Sequence, residues 1–441
     1  MAEPLGDSLS VWLVAPFVGM LLCIAILPLA APRWFAKPRN AALVAAVFGL
    51  PVVIYLVVAQ GHPGRESVAD MAHEYLSFIV LLAALFTIAG GIFLTGDLLG
   101  RPRDNLAFLL VGAVLANVIG TTGAAMVLIF PLLRANSERR NTRHIPVFFI
   151  FVVCNIAGLL TPLGPPLVLG FLQGVDFTWT LRLWPQWALA TGLTLAVFYV
   201  LDRRAYRREA PADIAKDIAD YEPLGFEGKI NVVFLAGVVA AVAASTPLAR
   251  AGDAIGFPFV REVVLVVLAL LSLQFGPHGP RVRNRFSWAP IQEVAIIFAG
   301  IFAAMIPTLA IVRAHGGDLG LTQPWQYFWA GGGLSSFLDN APAYLTFVSA
   351  AQGYLGLPDT GALMSSQIGS TGHAPAAFLA AVSCGCVFMG AVSYIGNAPN
   401  FMVKSIAEDQ GVEMPHFFHY MAYSALVLLP VFLVVTLVFF L

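Results

Sequence analysis

The chain has 441 residues, of which 59% are hydrophobic and only 11% are charged, and its formal net charge is -1 at pH 7. An ordinary soluble domain carries about 25% charged residues, so polar side chains are too few here to cover the apolar surface of a water-soluble fold. The net charge is close to zero and the basic residues sit in loops, which argues against nucleic acid as a partner. The composition therefore predicts a membrane protein, with the lipid bilayer as its first partner.

The apolar residues occur in blocks of roughly 20, the length that crosses a hydrocarbon core of about 30 Å as a helix. We predict an all-α polytopic membrane protein with about ten transmembrane helices, two of them interrupted, and two re-entrant hairpins. In chain order the predicted spans are 10–31, 40–60, 75–97, 146–173, 184–201, 229–248, 259–275, 289–312, 375–403 and 417–441.

Two further apolar stretches, 105–134 and 324–353, are predicted to enter and leave the membrane on the same side. Basic residues lie on both sides of the first stretch, such as Arg101 before it and Arg139 after it, and cytoplasmic loops are enriched in Lys and Arg. Two helical arms of about 12 residues would each reach about 18 Å, just past the middle of the bilayer core. The stretch is therefore typical of a re-entrant hairpin, and its midpoint falls at Gly120.

This layout places almost all basic residues on one side of the membrane and both chain termini outside. Of the 24 Lys and Arg residues, the exceptions are Arg65, Arg182, Arg250, Arg261 and Arg313. A wrong number of crossings would scramble this asymmetry, so the charge pattern supports the predicted topology.

The layout also predicts two inverted repeats. The first covers 1–201, the second covers 229–441, and a cytoplasmic linker at 202–228 joins them. Each half contains three spans, a hairpin, an interrupted span and a final span, although residue identity between the halves is slight. Inverted repeats whose broken helices meet at mid-membrane are the architecture of secondary transporters, because the two halves can exchange conformations around one site.

The second hairpin has an acidic residue at its midpoint, in the run SSFLDNAP at 335–342. A carboxylate near the bilayer centre costs about 2.5 to 3.5 kcal/mol on insertion scales, so such residues usually face a cavity and pair with an ion or proton. Ser335, Ser336 and Asn340 add neutral oxygens that suit a hard cation. Alternatively, Asp339 caps the helix that follows it, and the two roles are compatible.

The interrupted spans contain Gly, Pro and Asn where a membrane helix would otherwise continue. The runs are TPLGPP at 161–166 and GAVSYIGNAPN at 390–400. Unwound backbone at this depth is tolerated where it lines a cavity, and its carbonyls can coordinate Na⁺ while half-helix N-termini face an anion. A plain proline kink is the simpler interpretation of either run alone, but two breaks paired with two hairpin tips favour a binding site.

Other features are weaker signals. Glu293, near the start of an apolar span, is either a proton relay or a solvated residue at a helix end. The sequence contains neither a His-Glu-x-x-His helix nor a Gly-x-Ser-x-Gly elbow, which argues against an intramembrane hydrolase. We therefore expect no enzymatic activity, and no cofactor other than sodium as the coupling or transported ion.

At these motifs the chain resembles the ion transporter superfamily, and within it the citrate-transporter-like proteins commonly called sodium:proton antiporters. The resemblance rests on residues 161–172, 335–342 and 394–404 and covers most of the chain from about Glu74 onward. It implies a homodimer in which peripheral helices form a scaffold while the hairpins and broken helices move as a transport domain in elevator fashion. We expect a multi-pass protein of the bacterial inner membrane.

The resemblance further implies two sodium sites, each between a hairpin tip and the break of the same half. Carried onto this chain, the first site comprises Asn117, Gly120, Thr121, Thr122, Thr161 and Gly164. The second comprises Ser336, Asp339, Asn340, Gly396 and Asn397, with Ser335 and Asn400 as neighbouring candidates for ion or substrate binding. The expected sodium ligands among these are Thr121, Asp339, Asn340 and Asn397.

These patterns predict a secondary active transporter, with sodium/proton antiport as the leading function. One tip is acidic and the other neutral, which favours a single group that binds Na⁺ and H⁺ in turn. The alternative is sodium- or proton-coupled transport of an organic anion such as citrate or a dicarboxylate, held by helix N-termini and amides. A passive channel is disfavoured, because the tips resemble closed binding sites rather than rings around a pore.

Overall fold

The structure is a computed structural model that describes residues 5–35, 37–96, 99–164, 166–211, 225–284, 286–368 and 372–441. Most of these residues are helical. The predicted linker at 202–228 is described only in part, because 212–224 lie outside these ranges, and Pro165 of the first break lies outside them as well.

Helices make up most of the chain on both sides of the linker. The helices before the linker are α1 Leu5–Ser8, α2 Ala15–Ala30, α3 Pro32–Phe35, α4 Pro38–Ala59, α5 Gly61–Ala89, α6 Pro102–Arg134, α7 His144–Val152, α8 Leu167–Leu172 and α9 Trp184–Tyr206. Those after it are α10 Lys229–Ala243, α11 Ser245–Ile255, α12 Val260–Phe275, α13 His278–Arg283, α14 Ala289–Ala314, α15 Pro324–Phe337, α16 Asn340–Leu355, α17 Pro375–Met389, α18 Ala398–Asp409 and α19 Phe417–Phe439. Single 3₁₀ turns lie at Val11–Val14, Ile156–Leu159, Trp179–Leu183, Gly316–Leu319, Gly361–Met364 and Gly390–Val392.

Seven described helical segments are long and apolar enough to cross a membrane. They are Pro38–Ala59, Gly61–Ala89, Pro102–Arg134, Trp179–Tyr206, Ala289–Ala314, Pro375–Val392 and Phe417–Phe439. Shorter apolar helices occur at Val11–Ile24, His144–Leu159 and Lys229–Ala243. The prediction of a mostly helical, polytopic fold is confirmed at this level.

Some boundaries differ from the prediction. Helix α5 begins at Gly61 rather than 75 and ends at Ala89 rather than 97, where strand β1, Phe93–Thr95, follows. This strand pairs antiparallel with β2, Gly225–Glu227, so that Leu94 lies opposite Phe226. The predicted span 229–248 ends at Ala243, and the separate helix α11 follows it.

Helix α6 is a hairpin. Its backbone leaves helical geometry at Gly120, with φ 73° and ψ 160°. At the far ends of its two arms, the side-chain amides of Asn105 and Asn136 exchange two hydrogen bonds of 2.9 Å each. A straight helix of 33 residues would hold its ends about 50 Å apart, so these bonds require the arms to fold back on each other. The two arms are also in contact nearer the tip, since a Cβ atom on Gly112 of the first arm would lie 3.1 Å from Leu128 Cδ1 of the second.

Helices α15 and α16 form a second hairpin, whose tip is Leu338 and Asp339. The rings of Tyr327 and Phe347, one from each arm, lie with their centroids 6.4 Å apart. A Cβ atom on Gly331 would lie 3.4 Å from the Phe347 ring. Both hairpins therefore turn at the positions where the sequence places their midpoints.

An interrupted helix follows each hairpin. Helix α7 ends at Val152 and the chain passes through a 3₁₀ turn and non-helical residues before α8 begins at Leu167. In the same way, α17 ends at Met389 and α18 begins at Ala398. The order hairpin, interrupted helix, long helix thus occurs twice, and the division of the chain into two inverted repeats stays a prediction.

A buried cluster of charges fixes the base of the first hairpin to the end of α9. Arg139 donates to Asp202 at 2.6 Å, and Asn105 donates to the same carboxylate at 3.0 Å. The carboxylate of Asp202 is fully buried. Removing one partner from a buried ion pair typically costs about 3 to 5 kcal/mol, so the cluster holds the hairpin base and α9 as one unit.

Candidate ion and substrate site

The two hairpin tips and the second helix break line one small cavity. It has a volume of about 60 Å³ and is lined by Thr122 from the first tip, Asp339 from the second tip and Asn397 from the break. Apolar residues of α5, α14 and α18 close the remaining walls. A cavity of this volume has room for a cation with one or two waters.

The first tip is tied to the break of its own half by Asn117. The side-chain oxygen of Asn117 accepts the backbone N–H of Leu160 at 2.9 Å, and its backbone carbonyl accepts the Thr161 hydroxyl at 2.6 Å. The unwound backbone after α7 therefore finds hydrogen-bond partners on the hairpin. These bonds place the predicted residues Asn117 and Thr161 in direct contact.

Gly120 lets the first tip approach this break closely. A Cβ atom at Gly120 would lie 2.8 Å from the carbonyl oxygen of Leu163, and the positive φ of this residue favours glycine. The tip backbone thus rests directly on the unwound segment, beside Gly164.

Thr121 has a buried hydroxyl with no hydrogen-bond partner among the described residues. It lies against the first break, since a Cβ atom on Gly164 would be 3.7 Å from the Thr121 hydroxyl oxygen. Thr121, Thr122 and Gly164 also line a second, smaller space of about 10 Å³. An unsatisfied buried polar group costs about 1 to 3 kcal/mol, so this oxygen is placed to accept a ligand.

The second tip is capped by its acid. Asp339 is the N-cap residue of α16, and its carboxylate accepts the N–H of Ala341 at 3.1 Å. The capping role considered for this residue is therefore present. An ionised carboxylate has about four acceptor positions, so one such bond leaves capacity for a cation in the cavity.

The serines of the second tip are turned toward helix α17. Ser335 donates to the carbonyl of Cys386 at 2.7 Å, and Ser336 donates to the carbonyl of Met389 at 3.0 Å. Their hydroxyl protons are thus engaged in holding the hairpin on α17. Asn340, the first residue of α16, is buried at the same tip.

Gly396 brings the second break against the second tip. A Cβ atom at this position would lie 2.7 Å from the carbonyl oxygen of Ser335 and 2.6 Å from that of Gly390. Real Cβ atoms essentially never come this close to backbone atoms, so only glycine fits without a shift of the backbone.

Asn155, which the sequence analysis did not select, joins the two breaks. Its amide nitrogen donates to the Asn400 side-chain oxygen at 2.7 Å, and its oxygen accepts from the Asn397 amide at 3.3 Å. The available signal was an amide side chain inside the apolar stretch 146–173, just before the predicted break at 161–166. The predicted residues Asn397 and Asn400 thus belong to a network that also includes the first half.

Glu293 is not brought into this site. It is exposed on the second turn of α14, whereas Pro290, Ile291 and Val294 of the same helix line the cavity. Its role as a proton relay stays a prediction.

The electrostatic character of the cavity is set by Asp339. No Lys or Arg is among the described residues that line it, so the carboxylate has no basic neighbour in the cavity wall. An acid in this setting favours a bound cation or a proton.

Broken helices and hairpin tips around a central carboxylate, in a chain with many apolar helices, define a multi-pass membrane protein of the transporter class. Residues 6–440 match a family described as "putative citrate transport", and the chain belongs to this family. No curated protein matches the chain.

Proposed function

We propose that the protein is a secondary active transporter that exchanges sodium for protons, with Asp339 binding the two ions in turn. The observation that carries this proposal is the position of Asp339 in a small cavity between the two hairpin tips, beside Thr122 and Asn397. Antiport through one site requires a single group whose charge changes when it takes up a proton. Asp339 is the only acid among the described residues that line this cavity.

The neutral oxygens around Asp339 support sodium as the ion. Sodium is a hard cation that prefers carboxylate, amide, hydroxyl and carbonyl oxygens, and the cavity offers Asn397 and Thr122 beside the carboxylate. The volume of about 60 Å³ suits an ion with little water. Sodium and a proton would therefore compete for the same carboxylate.

Alternating access would come from movement of the hairpins and broken helices as one body. The contacts of Asn117 with Leu160 and of Ser335 with Cys386 join each tip to the interrupted helix that follows it. Such a body could slide against the long helices α4, α5 and α14 in elevator fashion. This mechanism, the inverted repeats, a homodimer and a bacterial inner-membrane location with both termini outside are parts of the proposal.

A second candidate is cation-coupled transport of an organic anion, and the family description favours citrate. The N-terminus of α18 lines the cavity through Ala398 and Pro399, and a helix N-terminus attracts anions. Citrate is larger than the present cavity, so this function requires the tips to separate. In it, Asp339 would bind only the coupling cation.

Flux in proteoliposomes separates these functions. The purified protein is reconstituted with a pH-sensitive dye inside, and an outward or inward Na⁺ gradient is applied with and without labelled citrate. For exchange, we expect Na⁺-driven proton movement that needs no citrate, is abolished in Asp339→Asn and is kept in Glu293→Gln.

Accumulation of labelled citrate on a Na⁺ or proton gradient, without citrate-independent exchange, would instead support the second candidate. Exchange of wild-type rate in Asp339→Asn would exclude Asp339 as the coupling acid, and loss of exchange in Glu293→Gln would direct attention to Glu293.

A further inference from the structure

Three buried asparagines hold together the two interrupted helices. Asn155 lies in the first break, Asn397 is the last residue of the second break, and Asn400 lies in the first turn of α18. Each is at most 3% exposed. Their amides donate to four backbone carbonyls, two from each half of the chain, namely Ile150, Cys154, Gly390 and Ser393.

Local capping explains part of this arrangement. Breaking a helix frees carbonyl groups, which need donors when they are buried. Asn155 donates to Ile150 at 2.8 Å within its own half, and Asn400 donates to Gly390 at 2.8 Å within the other. These two bonds could form even if the halves were separate.

Other bonds of the three asparagines cross between the halves. Asn155 donates to Asn400 at 2.7 Å, and Asn397 donates to the Cys154 carbonyl at 2.8 Å. The oxygen of Asn155 also lies where Gly390 leaves room for it, since a Cβ atom on Gly390 would be 2.9 Å away. Asn155 thus uses both amide protons, one for each half, and has no side-chain bond to the 3₁₀ turn that it precedes.

These cross-bonds connect the two hairpin tips through a short path. The first break carries Leu160 and Thr161, which bind Asn117 of the first tip. The second break carries Asn397, which lines the cavity with Asp339. We propose that Asn155 is a positioning residue that couples the first tip to the ion cavity at the second tip.

The expected effect on ions rests on the proposed function, because it assumes that the cavity beside Asp339 holds the cation. The inference states that the two unwound segments are structurally coupled, so that a change in the conformation of one alters the conformation of the other. A merely local cap would keep the effect of a substitution within residues 150–164.

Hydrogen exchange tests the coupling without reference to ions. The variant Asn155→Ala is compared with Asn105→Ala, a matched control whose asparagine is equally buried at 1% exposure and bonds to Asn136 and Asp202 at the hairpin base. We expect Asn155→Ala to raise amide exchange across the chain at 390–397 by at least about tenfold, and Asn105→Ala to leave that segment unchanged. Unchanged exchange at 390–397 in Asn155→Ala would overturn the inference.

If Asn155→Ala does not fold, Asn155→Ser is used in its place, because the serine side chain is too short to reach Asn400.

Sodium titration then tests the functional side. Thr121→Val at the first tip is expected to shift the Na⁺ concentration that half-stabilises the protein, and this shift should disappear when Asn155 is also replaced by alanine. Additive shifts in the double variant would overturn the coupling. A wild-type protein that gives no Na⁺ response would remove the proposed function, while hydrogen exchange would still decide on Asn155.

Discussion

The two hairpin tips are built from different chemistry. The first tip, Gly120 to Thr122, is uncharged and holds the Thr121 hydroxyl without a partner among the described residues. The second tip has Asp339 in the cavity and two serines bonded to α17. Because only the second tip carries an acid, the proposed proton exchange is assigned to it, and the first tip offers neutral oxygens.

The tips also differ in how they are anchored. Asn117 ties the first tip to the unwound backbone of its own break, whereas the serines tie the second tip to a helical segment before its break. Gly396 then allows the second break to lie directly on Ser335. The second tip therefore contacts both a helical segment and an unwound one, whereas the Asn117 bonds of the first tip go to unwound backbone.

The largest expected effect follows from removing the charge of the second tip. Asn is as good an N-cap residue as Asp, so Asp339→Asn keeps the cap of α16 and we expect the protein to fold. Sodium/proton exchange should fall to the level of protein-free liposomes. Dye-monitored flux and size-exclusion chromatography check the two parts. An unfolded variant would instead show that the tip needs the carboxylate for its own hydrogen bonds.

A smaller but still large effect is expected when the contact between the second break and tip is forced apart. Gly396→Ala places a Cβ atom against two carbonyl oxygens, and overpacking of this kind costs about 1 to 3 kcal/mol. A displacement of about 1 Å at such a site can lower the rate about a hundredfold, so we expect transport to fall more than stability does.

The matched control is Gly192→Ala on α9, where a Cβ atom would meet nothing within 4 Å. Alanine in a helix is more stable than glycine by about 0.5 to 1 kcal/mol, so this variant should melt slightly higher and transport normally. Equal transport in the two variants would show that the close approach at Gly396 is not needed for function.

The smallest effect is expected at the neutral tip. Thr121→Val removes a buried hydroxyl without a described partner, so thermal stability should be unchanged or slightly higher. If the hydroxyl helps to hold the cation, the Na⁺ concentration for half-maximal transport should rise about three- to tenfold, as expected for one hydrogen-bond-sized interaction. Thr308→Val is the control, because Thr308 is equally buried and also lacks a partner among the described residues, but it lines neither the cavity with Asp339 nor the smaller space at Thr121. A similar rise in both variants would exclude Thr121 from the site.

Much of the fold follows from the sequence because membrane helices are specified locally. Apolar length predicts the helices, and basic residues at both ends of 105–134 predict the first hairpin. Gly120 and Asp339 could be predicted as tip residues because the two arms of a hairpin are about equally long and meet at the midpoint of the stretch. The breaks are visible because Gly and Pro remove or weaken helical hydrogen bonds.

Contacts between segments that are distant along the chain were not predictable in this way. Arg139 was interpreted only as a topology signal, yet it is buried against Asp202, which is 63 residues away and beyond an interrupted helix. Asn155 has no Gly or Pro beside it, and its partners Asn397 and Asn400 are more than 200 residues away. The early start of α5 at Gly61 was missed because its first turns are polar and carry no hydropathy signal.

Equilibrium binding of radiolabelled sodium to the purified protein over a range of pH tests the central claim most directly. Because a proton and Na⁺ compete for Asp339, we predict that binding weakens by up to about tenfold per pH unit on the acidic side, and that Asp339→Asn binds no sodium at any pH. Sodium binding in Asp339→Asn with the affinity and pH dependence of the wild type would contradict the account.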